Sequence, residues 1–332
     1  MRRCSLCVLP ETFPGAYFDD EGLCAYCRQH KNRQGWIQNQ RAAMRARFDS
    51  LVQDIRGQNV YDCLVAWSGG KDSTYTLFML RESYRLNVLA VTFDNGFISP
   101  AAWENMERMS ERLGVDHLIV RPRFDLLRQI FATAAQDASL YSEKALTRAS
   151  AICNACMSLA KGVMLRTALE KHIPLIAYGW SPGQSPITSA IYKRTPEMAQ
   201  AMAKTLMEPL QRIAGEAVRP YFPQEREWSG AEAVPYDVSP LAFWDYAEAH
   251  IRESIRALGW RDPADTDPNS TNCLLNSLAN VVHMQQKGYH PYALELSALV
   301  REGYLDREEA LRRLGIAQDS QVVEQVRNKL GL

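Results

Sequence analysis

Nowhere does this sequence hold the roughly 18 consecutive apolar residues of a membrane helix, and Met1-Arg2-Arg3-Cys4 is followed by no apolar leader core. Both absences point to a soluble, cytoplasmic protein. An excess of charge is missing as well: 38 Lys and Arg balance 38 Asp and Glu over 332 residues, for a formal net charge of zero. A neutral surface argues against wide, non-specific nucleic-acid binding. One local exception runs from Arg28 to Arg47, with six basic residues and no acidic one. On an amphipathic helix that composition is more often a solvated face than a grip on RNA. Internal repeats and low-complexity tracts are absent, and the length suits one large domain or two. The mononucleotide fingerprint, which ends in Gly-Lys-Ser/Thr after four intervening residues, is also missing.

In its place stands another glycine loop. Tyr61 to Trp67 is a short apolar run of strand type, Ser68-Gly69-Gly70-Lys71-Asp72-Ser73 follows, and Thr74 to Glu82 reads as a helix. Backbone amides at such a turn, and those of the first helical turn, point at one spot together with the positive end of the helix dipole, so an anion is favoured there. Gly69 and Gly70 let the backbone approach closely, and Lys71 adds a point charge. The six residues resemble the PP-loop of the ATP pyrophosphatases, enzymes that split ATP between its α and β phosphates and leave AMP on the substrate. The resemblance implies that Ser68, Ser73, Lys71 and the loop amides hold the pyrophosphate of ATP. Asp72 would orient Lys71 or help bind magnesium.

Around the loop, strands and helices alternate. Asn87 to Phe93 and His117 to Val120 read as strands, with a helix over 101–114 between them that Gly114 ends. Pro174 to Tyr178 is a fourth strand after a helix from Asn154 to Lys171. This order predicts an α/β fold with a doubly wound parallel sheet, whose ligands sit at the carboxyl ends of the strands. Ser68 to Ser73, Asp94 to Gly96 and Gly179 to Gln184 should therefore share one cleft. Thr92, Asp94 and Gly179 join the expected nucleotide contacts, Asp94 either on the ribose or adenine or as a cap of its own turn. Pro196 to Ile213 predicts a helix whose methionines, Met198, Met202 and Met207, serve its core. Residues 214–240, with four prolines, read as an irregular connection forming a lid or substrate wall. Helices follow at Leu241 to Leu258, Asn272 to Lys287 and from Tyr292 onward, with Asp306 and Glu309 as a capping pair.

Six of the eight cysteines fall into three Cys-x-x-Cys pairs, a spacing that belongs to metal or redox chemistry, and the cytosol keeps thiols reduced. Cys4, Cys7, Cys24 and Cys27 can present four thiolates in a tetrahedron, which predicts a structural zinc knuckle, with an iron-sulfur cluster or no metal as alternatives. Metal would supply the folding energy of so loop-rich a module. A connecting helix, Trp36 to Ile55, leads away from it and ends at Gly57. Cys153 and Cys156, placed at a helix start where the dipole lowers thiol pKa values, form a second set with the distant Cys273. Two cysteines could be a redox pair; three could hold a [4Fe-4S] cluster with one open iron; or all three are inert. Cys63 is simplest as a small core residue. The domain reading is a Cys4 knuckle over 1–33, the connecting helix over 34–58, the ATP-binding α/β domain over 59–215, and over 216–332 the irregular connection with a helical region that contributes Cys273.

The chain at large resembles the N-acetyl sugar amidotransferases of surface-polysaccharide biosynthesis. The likeness lies in Cys4 to Thr12, Phe18 to Gly22, Cys24 to Cys27, the loop, Val91 to Phe97, Leu113 to His117, Gly303 and Asp306 to Ala310. It implies ATP-dependent conversion of a sugar N-acetyl group to an acetamidino group, with ammonia from a glutaminase partner. Two stretches depart from that family: the surroundings of the cysteine pair, Ile152 to Met157, and Gly179 to Pro186. The three-cysteine set is similar to that of PP-loop tRNA thiolation enzymes, which implies a sulfur donor and a nucleotide acceptor. The expected activity is adenylation of an acceptor oxygen, small molecule or nucleotide, followed by its replacement, with sulfur ahead of nitrogen. Lys71, Asp72, Cys153 and Cys156 would be catalytic. A tRNA-binding thiolase, with the knuckle and the basic helix on the RNA, and a nucleotide sensor are the rival readings; a homodimer stays open.

Overall fold

The computed structural model describes residues 2–230 and 234–332. Six strands form one sheet: β1 (Cys63–Ala66), β2 (Val88–Phe93), β3 (Asp116–Val120), β4 (Leu175–Tyr178), β5 (Ile191–Lys193) and β6 (Tyr236–Val238). Their spatial order is β3-β2-β1-β4-β6-β5, with every pair parallel except β5 against β6. β1 lies at the centre, with Val65 opposite Ala90 of β2 and Leu64 opposite Ile176 of β4. β1, β2 and β4 read as unbroken apolar runs because both faces of the sheet are covered. Alternation then divides them: Cys63, Val65, Ala90 and Ala177 enter one core with Met106, Leu241 and Trp260. Leu64, Val91 and Ile176 enter the other with Phe131, Leu159 and Leu275. This is the doubly wound arrangement expected, with the phosphate loop leaving the central strand.

Several boundaries differ from expectation. The helix after the loop begins at Lys71, three residues early, and its last turn, Met79–Ser83, widens into a π-helix. Residues 214–240 are not an irregular wall: they hold a 3-10 turn (Gly215–Tyr221), a short helix (Glu225–Ser229) and β6. Residues 231–233 of that stretch lie outside the described residues. Because Ala177 of β4 pairs with Val238 of β6, the sheet runs across the expected boundary at 215 and the α/β unit does not end there. β5 and β6 escaped the sequence reading because each has only three residues and β6 carries Asp237 in its middle. Met198 is exposed, so the methionine helix (Pro196–Ala214) uses only Met202 and Met207 against the core. Residues 243–247 are not helical; the helix starts at Glu248.

The two ends of the chain meet. The cysteine knuckle packs on Tyr289 and Ala293. Thr12 Oγ1 donates to the Gly288 carbonyl, and the Arg307 guanidinium donates to the carbonyls of Cys7 and Cys4, both at 3.2 Å. Asp306 caps the helix Arg307–Gly315 by accepting from the amides of Glu308 and Glu309, while the Glu309 side chain pairs with Arg312 and Arg313.

Candidate nucleotide site and cysteine centres

The phosphate loop is held in shape from three sides. Gly69 has φ of +79°, and a Cβ there would stand 2.9 Å from Met106 Cγ and 3.0 Å from the Ala102 carbonyl, so conformation and space both require glycine. Ser73 Oγ donates to the Gly70 carbonyl, accepts from the Ser68 amide at 3.2 Å and lies 3.1 Å from Ser68 Oγ. Gly179, just beyond β4, packs so closely that an added Cβ would fall 2.4 Å from Ser73 Cα. Trp260 Nε1 donates to the Gly69 carbonyl, and the Lys71 amide donates to Thr271 Oγ1 at 3.0 Å. Ser68, Gly69, Gly70, Ser73 and Gly179 thus come together as expected.

Lys71 is buried beside acids. Its Nζ lies 2.7 Å from Asp72, 3.9 Å from Glu248 and 3.4 Å from the Tyr246 hydroxyl. Burial disfavours its charge, but Asp72, Tyr246 and Glu248 outweigh that and hold the ammonium protonated well above the ordinary lysine range. Both oxygens of Asp72 are engaged, one by Lys71 and the other by Tyr246 at 3.3 Å. Glu248 also pairs with Arg313 at 3.0 Å, and Glu295 accepts from Ser181 Oγ at 2.7 Å. A small cavity joins Lys71, Asp72, Gln184, Tyr246, Glu295 and Tyr292. Sequence reasoning missed Tyr246, Glu248, Glu295, Arg313 and Thr271. Only the polar run Asn269 to Asn272 ahead of Cys273 hinted at any of them.

At the ends of β2 and β3 a larger cavity, about 380 Å³, is lined by Asp94, Trp103, Arg121, Phe124 and Lys329 among others. Asp94 does cap its turn, accepting from the Gly96 amide at 2.8 Å, and its second oxygen takes Arg121 at 2.5 Å. Thr92, expected among the nucleotide contacts, is fully buried, and its hydroxyl donates to the Trp67 carbonyl at 2.7 Å, tying β2 to the loop.

The four knuckle cysteines are fully buried and free. Their sulfurs all lie within 4.8 Å of one another, with Cys4–Cys27 and Cys7–Cys24 each at 3.7 Å. Thiolates about 2.3 Å from a tetrahedral ion stand about 3.8 Å apart, whereas a disulfide would require about 2.05 Å. The set fits one tetrahedral metal ion. Hydrogen bonds from Cys24 and Cys27 already pull the Cys7 thiol well below its ordinary range.

Cys153 and Cys156 lie one turn apart on the helix Ala151–Glu170, where Ser150 caps by accepting from the Cys153 amide at 3.1 Å. Cys273 arrives from a distant segment that zips onto the chain beyond β2: Ser99 donates to the Asn272 carbonyl and Leu274 to the Phe97 carbonyl, each at 2.9 Å. The Asn95 amide nitrogen then lies 3.3 Å from Cys273 Sγ and 3.5 Å from Cys156 Sγ. Among the described residues the knuckle is the one group whose ligand atoms are gathered as around a single metal ion, and these three thiols are not. Three soft sulfur donors, two of them on Asn95 and the third close enough to feel Cys273, are the donor type and number that a cluster with one open iron takes. The expected low thiol pKa values are not found. Burial pushes Cys153 up to about 11 and raises Cys156 and Cys273 as well, outweighing the helix start. Cys63 is a core residue, as expected.

Much of the basic stretch from Arg28 to Arg47 is engaged within the molecule. Arg28, Arg41 and Arg45 pair with Asp19, Glu302 and Asp245, and Arg33 lies over the Trp36 ring. No helix among the described residues is long and apolar enough to cross a membrane.

Residues 62–168 match the model of a PP-loop family, QueC, described as queuosine biosynthesis protein QueC. An uncharacterized protein of Methanocaldococcus jannaschii is 21% identical over 315 residues, which cover 94% of this chain and 92% of that one. Among solved structures, the U34-tRNA thiolase NcsA from Methanococcus maripaludis with its [4Fe-4S] cluster is similar at 16% identity. Its TM-score is 0.36, over 100% of this chain and 99% of that one. The NH3-dependent NAD synthetase from Campylobacter jejuni is similar at 11% identity, with a TM-score of 0.37 over 89% and 93%. Likenesses that distant carry no argument about chemistry. The family match spans the loop from Ser68 to Ser73, β2, β3 and the Cys153/Cys156 pair, so that part of the chain is similar to PP-loop proteins.

Proposed function

We propose that this chain, of PP-loop type over residues 62–168, adenylates an oxygen of its acceptor with ATP and replaces that oxygen with sulfur. One observation carries the reading. The run Asn269 to Cys273 touches both halves of such a reaction, since Thr271 accepts from the loop amide of Lys71 and Cys273, two residues on, joins the cysteines at the end of β2. The adenylated carbon and the incoming group would then meet within one cleft.

The loop amides, Ser68, Ser73 and the permanently charged Lys71 bind the triphosphate and stabilise the charge on the departing pyrophosphate. Magnesium accompanies the ATP, and the cavity of Asp94, Trp103 and Phe124 takes the nucleoside. The acceptor oxygen attacks the α-phosphorus, the bond to pyrophosphate breaks, and the acceptor carbon becomes attached to AMP. A nucleophile then attacks that carbon, and AMP leaves with the carbon–oxygen bonding pair. Cys153, Cys156 and Cys273 would hold a [4Fe-4S] cluster, which with three protein ligands has one iron open to carry sulfur. The knuckle would hold a structural zinc that keeps the amino-terminal module folded against the carboxyl-terminal helices.

The test is metal, iron and sulfide content of protein purified without oxygen, for wild type and Cys273→Ala, with AMP and pyrophosphate followed on adding ATP and either unfractionated tRNA or a nucleotide-linked N-acetyl sugar. About four irons with matching sulfide, lost in the variant, support sulfur transfer. One zinc and no iron would instead favour ammonia and a glutaminase partner, the reading that the amidotransferase resemblance supports.

A further inference from the structure

Between the nucleotide pocket and the cysteines lies one turn, Asp94-Asn95-Gly96, at the end of β2. Asp94 faces the pocket, while Asn95, 6% exposed, faces the sulfurs. The orientation of its amide is determined by a second contact: Asn95 Oδ1 accepts from the Phe97 amide at 2.9 Å, so the nitrogen end must be the one turned to Cys273 and Cys156. An amide nitrogen carries two hydrogens, one for each sulfur. The two cysteines come from elements 117 positions apart in the chain, on the helix Ala151–Glu170 and in the segment after residue 269. Among the described residues Asn95 is the polar side chain that reaches both.

We infer that Asn95 is the positioning residue of the three-cysteine centre. Its amide spaces Cys156 and Cys273, donates to their sulfurs in the thiolate form, and so sets the electron density on the iron they hold. Groups that hydrogen-bond to ligating atoms orient the ligands, and donors to the sulfurs of an iron-sulfur centre help determine its reduction potential. A donor withdraws charge from a thiolate and favours the reduced state, so loss of the donor should lower the potential. This inference rests on the sulfur reading proposed above.

The informative variant is Asn95→Asp. It is nearly isosteric and keeps an oxygen for the Phe97 amide, so the turn is retained, but it replaces the donor with an acceptor beside two thiolates. Asn95→Ala removes the donor without adding charge. Wild type and both variants would be purified without oxygen and compared for iron and sulfide per chain, for reduction potential by spectroscopically monitored titration, and for decay of visible absorption in air. The expected result is a loaded wild type, a lower potential and faster decay in Asn95→Ala, and a further decrease or loss of iron in Asn95→Asp. An iron-loaded wild type whose potential and air stability both variants share would overturn the role of Asn95 alone. A wild type that binds no iron would overturn this inference and the sulfur reading together.

Discussion

Gly179→Ala is the sharpest test of how the loop is built. Gly179 and Ser73 belong to segments that leave adjacent parallel strands, β4 and β1, joined by the pairing of Tyr178 with Ala66. Neither can retreat without disturbing that ladder. The new methyl would sit 2.4 Å from Ser73 Cα, 2.5 Å from Ser73 N and 2.9 Å from the Asp72 carbonyl carbon. All three are backbone atoms, and ordinary carbon contacts lie at about 3.5–4.0 Å, so the loop must move by about 1 Å. Overpacking of that kind costs about 1–3 kcal/mol. Charged against the phosphate-binding form of the loop, it weakens ATP affinity by about 5- to 150-fold, at about 1.4 kcal/mol per tenfold. Calorimetric titration with an ATP analogue that cannot be cleaved between its α and β phosphates measures this directly, with thermal unfolding alongside. Gly35→Ala is the control, since a Cβ there meets nothing within 4 Å on an exposed helical turn, and it should be neutral or stabilising. If Gly179→Ala binds the analogue within about twofold of wild type and melts at the same temperature, the contact does not shape the loop and the reasoning fails.

Three further outcomes are expected. Cys4→Ser should lower the metal content by one tetrahedrally bound ion and reduce the melting temperature, because the four sulfurs belong to the small cluster that packs the knuckle on Tyr289 and Ala293; elemental analysis showing unchanged metal would refute this. Arg307→Ala removes two hydrogen bonds from the carbonyls of Cys4 and Cys7 and should cost about 1–3 kcal/mol and speed metal loss to a chelator, read as release rate against a zinc indicator. Burial lifts the Glu295 carboxyl to about 7, against the hydrogen bond from Ser181. The folded state therefore keeps a proton that the unfolded chain releases near pH 4.3. That stability is fully present below about pH 4.3 and is lost as pH rises through about 7. Glu295→Gln should match wild type at the acid end and gain over it as pH rises through that window; a stability difference that stays flat with pH would rule the assignment out.

Local chemistry carried much of this protein on the surface of its sequence. Ser68 to Ser73 declares its loop because two glycines, a lysine and small hydroxyls between an apolar strand and a helix have one economical use. The central strands declare themselves because burial on both faces demands unbroken apolar runs. The four cysteines of the knuckle sit in two pairs whose spacing already brings two sulfurs to each side of an ion. Other features depended on which segments meet, which no local pattern encodes. β5 and β6 have three residues each and become strands only where β4 offers an unpaired edge. Cys273 reaches Cys156 only because residues 272–274 zip onto 97–99. Thiols expected to be acidic at a helix start are raised instead, since burial by the surrounding helices outweighs a dipole that acts over one turn. Of the acids around Lys71, Asp72 is its neighbour in the chain, whereas Glu248 and Glu295 come from distant segments and were invisible along it. Sequence alone determined the loop, the knuckle and the central strands, because each is a matter of neighbouring residues. Tertiary structure alone decided what surrounds them, because burial, charge and reach are properties of distant segments brought together.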